Sequence, residues 1–497
     1  LLALEEIIAS LAPKQLILMS RDPVLRSSIQ QLCQEQSIPF SWCRAVGDNK
    51  YPQRRYGKYR RVPPVVLALA MFVRYVRRYW SLRELRTWNF SEQDNAVLFV
   101  TRTRYPESPS NDTPMPHSLL WPDLPTLLED KGIPSNWLEM LIPERHAPSA
   151  SRLTQQLYCF HQRYSENEAH VFLGSRFSLR TLAKVFVLYL RLVGIYLRLG
   201  GKRMQQNIDN RPWLWQLSIG AWKRSMIGHV AVENLFWFVL FDRVLDDIPP
   251  QERGFFLFEG QSWEVAFVAA WKRHGLGELI AVPHSTIRFW DLRCFPDMRD
   301  SSERGRYSCP NPDLVAVNGP LARSTLLGAE FPPDRIIECE ALRYQHLGVV
   351  TRWKPRLREP DQPMRVLMVS DYLQAITETM ISMAEEALPD LPSGTQIEIK
   401  AHPHSVFDAV AMERLQIKVR EEPISQLVQD YDMAIVSSGS SAVVDLYVLG
   451  LPVIIFQFDD NLDFSPLKGF ADLPTVGTSR ELVQALMNTE VPVGQPH

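Results

Sequence analysis

Between Thr395 and Phe456 short apolar runs alternate with polar turns and one helical pattern, and this admits few folds. Thr395–Ala401 (TQIEIKA) is apolar and β-branched, which predicts a buried strand, and it runs through Lys400 into His402-Pro403. Asp432–Val436 predicts a second strand, ending in Ser437-Ser438-Gly439-Ser440-Ser441. Ala442–Leu449 then has a helical pattern, Gly450 closes it, and Pro452–Phe456 predicts a third strand. Strand, polar turn, helix, strand is the unit of a parallel sheet, because parallel neighbours need a crossover. Ligands of such sheets bind beyond the carboxyl ends of the strands. The reading puts His402 and the serine turn on neighbouring strand ends. The serine turn opens a helix, where free N–H groups and the helix dipole favour an anion. Lys400, His402, Pro403 and residues 437–441 are therefore candidate phosphate contacts. Simpler uses exist for the same residues: serine before a helix is a common N-cap, and His-Pro a common strand exit.

Composition narrows the class. A chain of 497 residues is long enough for two or three domains, and its net charge of −2 argues against a general nucleic-acid binder. The six cysteines are scattered without a CxxC pair, which suits a reducing compartment and gives no zinc or disulfide signature. No signal peptide is visible.

Taken in order, the chain opens with a βαβ-like unit: Gln15–Ser20, a helix over Pro23–Gln36, and Ile38–Cys43. Residues 44–61 are basic and aromatic, and Val65–Tyr79 is an apolar helix carrying Arg74, Arg77 and Arg78. This pattern fits anionic lipid head groups, and equally a solvated basic face. Asn95–Thr101 resembles a strand, and 106–116 a Pro/Ser-rich loop. Leu182–Leu199 is long enough to span a bilayer, yet Lys184, Arg191 and Arg198 recur on one helical face. A central arginine is costly in lipid, so an amphipathic helix is expected, packed on a core or lying on a membrane surface. Residues 213–245 form a further aromatic-rich helical stretch.

Gly254–Phe258 predicts a strand ending in Glu259, with a helix following through Arg273 and Glu264 near its start. Glu278–Val282 is the next strand and ends in Pro283-His284-Ser285-Thr286. Leu314–Val317 and Arg335–Glu338 complete this half. A carboxylate at such a strand end is placed to act as a general base, or to cap the helix it opens. His284 is placed to contact substrate or to satisfy a turn. The charged, Pro-rich stretch 354–363 predicts a linker. Met364–Val369 begins a fresh unit with Ser370-Asp371 at its strand end, so Ser370 joins the donor-side candidates. The expected domains are 1–355, with helical insertions, and 364–490.

These features resemble the GT-B fold of glycosyltransferases, an α/β class with two Rossmann-like domains facing a cleft. The His-Pro and serine motifs resemble donor-binding motifs of bacterial sialyltransferases and capsule Kdo transferases. There they hold the phosphate and nucleotide of a CMP-sugar. Sialyltransferases also place an acidic pair before glycine as general base; Phe258-Glu259-Gly260 keeps one acid of that pair. A closer resemblance is to bacterial surface carbohydrate biosynthesis proteins. It rests on Glu259, Gln261, Trp263 and Glu264, on His284-Ser285-Thr286 with Phe289–Arg293 (FWDLR), and on Leu342-Arg343-Tyr344. It covers residues from about 250 to 475 and is weak before them.

The resemblance implies transfer of a sugar, most simply a CMP-linked 3-deoxy-ulosonic acid, to a glycan or lipid-linked acceptor of capsule or lipopolysaccharide type. Glu259 and His284 are then the catalytic candidates. Glu264, Ser285, Thr286, Asp291, Arg293 and Arg343 are substrate-side candidates. No cofactor beyond the nucleotide sugar and no metal is expected, since Asp430-Tyr431-Asp432 precedes its strand and so lies at the wrong end of the sheet. The expected location is cytoplasmic, with peripheral attachment to the inner membrane. A CDP-glycerol-type phosphotransferase, a sugar-nucleotide epimerase and a non-catalytic scaffold are the rival readings.

Overall fold

The computed structural model describes residues 2–44, 62–80, 82–87, 89–93, 95–103, 121, 123–141, 168–206, 211–295, 310–355, 363–402, 405, 407, 412, 417–458 and 462–488. The basic-aromatic stretch beyond Arg44, the loop 106–116, most of the linker and Pro403 lie outside them.

The opening unit forms, with helices α1 (Leu2–Leu11) and α2 (Pro23–Glu35) and parallel strands β1 (Leu16–Met19) and β2 (Phe40–Cys43). It does not join the main sheet: β1 and β2 pair only with each other. The physical reason is that Ile17 and Met19 remain exposed, so this pair lacks the two covered faces of a central parallel sheet. It is held instead by a small cluster of Ile8, Leu32 and Trp213.

The first main sheet starts later. Helix α3 (Pro64–Tyr79) precedes β3 (Val97–Thr103), β4 (Ser135–Leu141) and β5 (Glu168–Phe172). Three helices follow: α4 (Leu179–Gln206), α5 (Pro212–Ile227) and α6 (His229–Asp246). Then come β6 (Arg253–Phe258), α7 (Ser262–Arg273), β7 (Glu278–Pro283), β8 (Leu314–Val317) and β9 (Ile336–Glu338). The seven strands are parallel in the order β5-β4-β3-β6-β7-β8-β9. Gly254 matters to the packing, because a Cβ there would collide with the ring of Trp271, which lies directly on the sheet. The expected single helical stretch 213–245 is two helices broken at Gly228. Helix α4 loses helical geometry at Gly200, whose φ of 57° suits glycine. Among the described residues no helix is long and apolar enough to cross a membrane.

The second sheet comprises β10 (Arg365–Val369), β11 (Gln396–Lys400), β12 (Lys418–Arg420), β13 (Met433–Ser437), β14 (Val453–Phe456) and β15 (Thr475–Val476). Helices α8 (Gln374–Ala387) and α9 (Ala442–Leu449) are among its crossovers. All six strands are parallel, in the order β12-β11-β10-β13-β14-β15. One expectation is corrected here. The strands ending in His402 and in the serine turn are not neighbours, because β10 runs between them. Leu347 and Trp353 pack into the core on one face of this second sheet, and Trp353 Nε1 donates to the Tyr431 carbonyl at 2.9 Å.

Candidate functional site at the facing strand ends

The carboxyl ends of β6 and β7 carry Glu259 and His284, on strands in direct register. Glu259 Oε1 lies 3.1 Å from His284 Nδ1, without hydrogen-bond alignment. Glu259 Oε2 lies 2.9 Å from an Arg102 nitrogen. Arg102 comes from β3, the other neighbour of β6, and its guanidinium sits 5.5 Å from the centre of the Trp263 ring. Both Glu259 and His284 are half-buried. Burial holds the His284 pKa below the usual histidine value, against the opposing field of Glu259 and helped by Arg343, Arg102 and Arg293. His284 is therefore neutral near pH 7 and has a nitrogen able to accept a proton.

Glu264 is occupied within the turn. It is 3 % exposed, and its two oxygens accept the backbone N–H groups of Glu259 and Gly260 at 3.0 Å each. It holds the turn that presents Glu259. Burial pushes its pKa up to about 7 although these backbone bonds favour the charged form. Gly260 completes the turn: its φ is +67°, and a Cβ there would strike the Arg293 carbonyl. The FWDLR turn thus packs against the Glu259 turn. Within it Arg293 makes a two-pronged bond to Asp291, at 2.8 and 2.7 Å, so these two candidates are committed to each other.

A pocket opens between these groups and the next strand ends. Its walls include His284 after β7, Asn318 after β8, and Glu340 and Arg343 after β9. The Asn318 Oδ1 is buried with no partner among the described residues. Ser285 and Thr286 lie half-buried on the His284 turn.

The second sheet meets this face through its serine loop. Arg343 donates to Ser441 Oγ at 3.3 Å, and Arg288 donates to the Gly439 carbonyl at 2.7 Å. The Lys468 ammonium sits 5.9 Å from the Trp290 ring centre. Arg343, which lines the same pocket as His284, thus also reaches the serine loop.

Within the loop the hydroxyls divide. Ser437 is buried, and its hydroxyl donates to Asp371 Oδ2, so it ties strands together and has no hydroxyl proton left for a ligand. Ser438 is half-buried, with its hydroxyl unpaired among the described residues and its N–H on Phe456 at 2.9 Å. Ser440 Oγ accepts the Ala442 N–H at 3.3 Å at the start of α9. Gly439 is exposed at the loop tip.

The His402 end is connected through β10. Ser370 Oγ accepts the His402 N–H at 2.6 Å and meets Ser405 Oγ at 3.1 Å. The His402 ring is edge-on to Tyr372, with centroids 5.7 Å apart. The Lys400 ammonium donates to the Ala401 carbonyl at 2.7 Å, and burial lowers its pKa. Asp432 accepts the Arg365 N–H at the opposite end of the sheet, where the Asp-x-Asp was expected. Among the described residues no cluster of His, Cys, Asp or Glu is arranged to hold a metal ion.

Sequence reading missed Arg102, Arg288, Asn318 and Asp371. Arg102 and Asn318 follow from sheet order alone, which brings distant segments to one edge. Asp371 stood next to Ser370, and its burial was the absent signal.

No protein-family model and no curated protein matches the chain. Several solved structures align over most of it. The calicheamicin glycosyltransferase CalG4 covers 80 % of this chain and 89 % of its own, at 10 % identity and a TM-score of 0.42. MurG from Acinetobacter baumannii covers 79 % and 90 %, at 11 % identity and 0.39. The UDP-N-acetylglucosamine 2-epimerase from Rickettsia bellii covers 79 % and 86 %, at 13 % identity and 0.37. Likeness at this level assigns no activity.

Proposed function

We propose that this protein is a glycosyltransferase that moves a sugar from a nucleotide-activated donor to a hydroxyl acceptor. The observation that carries the reading is the pairing of two unlike strand-end groups. A carboxylate–imidazole pair, Glu259 and His284, lies across from a serine loop at a helix start, and Arg343 lines the His284 pocket and bonds to Ser441 of that loop. The acceptor hydroxyl loses its proton to Glu259 as it attacks the sugar carbon, and the departing nucleotide gathers negative charge on its phosphate. Ser438, Ser440, the α9 dipole and His402 are the groups that favour that charge. Asn318 Oδ1 is suited to accept a hydrogen bond from an acceptor hydroxyl, which would satisfy a buried group now without one.

A second base assignment is favoured by one observation. His284 is held neutral by burial, with Nδ1 against Glu259. In that version Nε2 takes the proton and the Glu259 carboxylate, 3.1 Å from Nδ1, stabilises the imidazolium that forms. His284→Gln separates the two: it abolishes transfer if His284 is the base and only reduces it if Glu259 is.

The donor is best read as a CMP-linked 3-deoxy-ulosonic acid and the acceptor as a cell-surface glycan or glycolipid, on the motifs at His402, 437–441 and Glu259. A calorimetric panel of CMP, CDP, UDP and GDP tests the donor. Preference for CDP with glycerol transfer favours the phosphotransferase reading. Donor turnover without acceptor favours the epimerase. Binding without turnover in any glycan or lipid extract favours the scaffold.

The acceptor reading extends to a membrane surface. Val66, Leu69 and Val73 of α3 and Phe186, Leu190 and Leu197 of α4 are exposed, and both helices pack on α6. Neither helix contains a carboxylate, while Arg74, Arg77, Arg191 and Arg198 are exposed on them. Lys184 is paired with Asp242, and the exposed arginines beside apolar side chains suit peripheral binding to anionic lipid.

A further inference from the structure

Five cationic or titratable bases surround the cleft: Arg102, His284, Arg288, Arg293 and Arg343. Their counter-charges are unevenly shared. Glu259 is taken by Arg102, and Asp291 is taken on both oxygens by Arg293. Among the described residues, Arg288 and Arg343 hydrogen-bond only to uncharged oxygens, the Gly439 carbonyl and the Ser441 hydroxyl. Both are half-buried. Asp291 acts on Arg288, and Asp445 is acted on by Arg343, through space, and Glu340 lines the same pocket as Arg343. A guanidinium never gives up its charge, and burying one without an anion is costly. Two such groups, brought by the first sheet to the loop that opens α9, are what an anion-binding site requires.

We propose that Arg288 and Arg343 hold two separate anionic groups of the donor against the serine loop. The ligand class is a donor with paired negative charge at the leaving centre. A pyrophosphate supplies it, and so does a phosphodiester beside a sugar carboxylate. The nucleotide identity rests on the glycosyltransferase reading; the paired-anion site does not. Arg288 and Arg343 would then also couple closure of the two sheets to donor occupancy, since each leaves a loop oxygen to meet the ligand.

The test is calorimetry of wild type, Arg288→Gln and Arg343→Gln with cytidine, CDP, a CMP-linked ulosonate and inorganic pyrophosphate. Each loss of a charge-assisted bond should weaken CDP or the CMP-ulosonate roughly 10- to 100-fold, with cytidine unchanged. Whichever of the two the wild type binds more tightly identifies the source of the second charge. Pyrophosphate binding that depends on both arginines, without nucleotide binding, would keep the site and overturn the glycosyltransferase reading. Nucleotide binding unchanged in both variants would overturn the site and leave that reading standing. Equal losses for cytidine, or a wild type that binds none of the four ligands, would also overturn it. Small-angle scattering of the ligand-free variants separates a purely structural role, in which the molecule expands while affinity holds.

Discussion

The Ser437 hydroxyl donates to Asp371 Oδ2, which fastens the end of β13 to the end of β10. Asp371 Oδ1 also accepts the Leu373 N–H at 2.6 Å, so one buried carboxylate organises both turns. A hydrogen bond to a charged group contributes about 1.5–3 kcal/mol, and a buried carboxylate left unpaired costs more than the bond alone. Ser437→Ala should therefore destabilise the protein by about 1.5–3 kcal/mol in urea denaturation. Ser438→Ala, which removes a hydroxyl without a partner among the described residues, should leave the midpoint unchanged. Equal stability of Ser437→Ala and wild type would remove Ser437 from its structural role.

Glu259→Gln keeps the size of the side chain and loses the ability to take a proton. General base catalysis is typically worth ~100- to 10,000-fold. Transfer should fall by that order, with donor affinity retained, when turnover is measured at saturating donor and acceptor. Full turnover in the Gln variant would remove Glu259 both as base and as stabiliser of the His284 imidazolium.

His170 offers a check on the first sheet that is independent of the site. It sits on edge strand β5, and burial alone would lower its pKa, but hydrogen bonds to Glu139 and Glu168 outweigh this and raise it to about 9. An unfolded histidine titrates near ~6.5, so folding holds the proton. The stability this provides is complete below about pH 6.5 and declines as the pH rises toward about 9. The melting temperature of wild type should fall across that window. In His170→Gln it should fall less, from a lower starting point. Parallel pH profiles would show that His170 does not carry the proton.

Attachment through α3 and α4 predicts sedimentation with vesicles containing anionic lipid, weakened by salt because head-group attraction is screened. Leu69→Ser with Leu190→Ser should weaken it as well, with the melting temperature retained, since both side chains are exposed. Sedimentation indifferent to salt and to both substitutions would exclude this face.

Much of the second sheet was legible in the sequence because its strands are uninterrupted apolar runs between polar turns. Met433–Ser437 and Val453–Phe456 are buried throughout and fall within a residue of their expected positions. Strands β4 and β5 were missed because Asn136, Glu139 and His170 break their apolar pattern. Asn136 and Glu139 are satisfied through partners far away in sequence, such as Gln251 for Asn136 at 3.4 Å and His170 for Glu139 at 3.1 Å. Strand order was illegible for the same reason. Sequence spacing placed His402 and the serine turn side by side, whereas pairing across the sheet inserts β10. The site showed the same division: Glu259 and His284 end two strands that are consecutive in sequence and paired in space, but Arg102 reaches them only through the β3–β6 pairing.

The central claim is that the serine loop and His402 hold a nucleotide donor opposite Glu259. Calorimetry of nucleotide binding to wild type, Ser438→Ala and His402→Ala tests it most directly. The account predicts that CMP or a CMP-sugar binds more tightly than UDP or GDP derivatives, and that each substitution weakens binding roughly tenfold without unfolding the protein. Wild type that binds no nucleotide, or variants that bind as tightly as wild type, would contradict it.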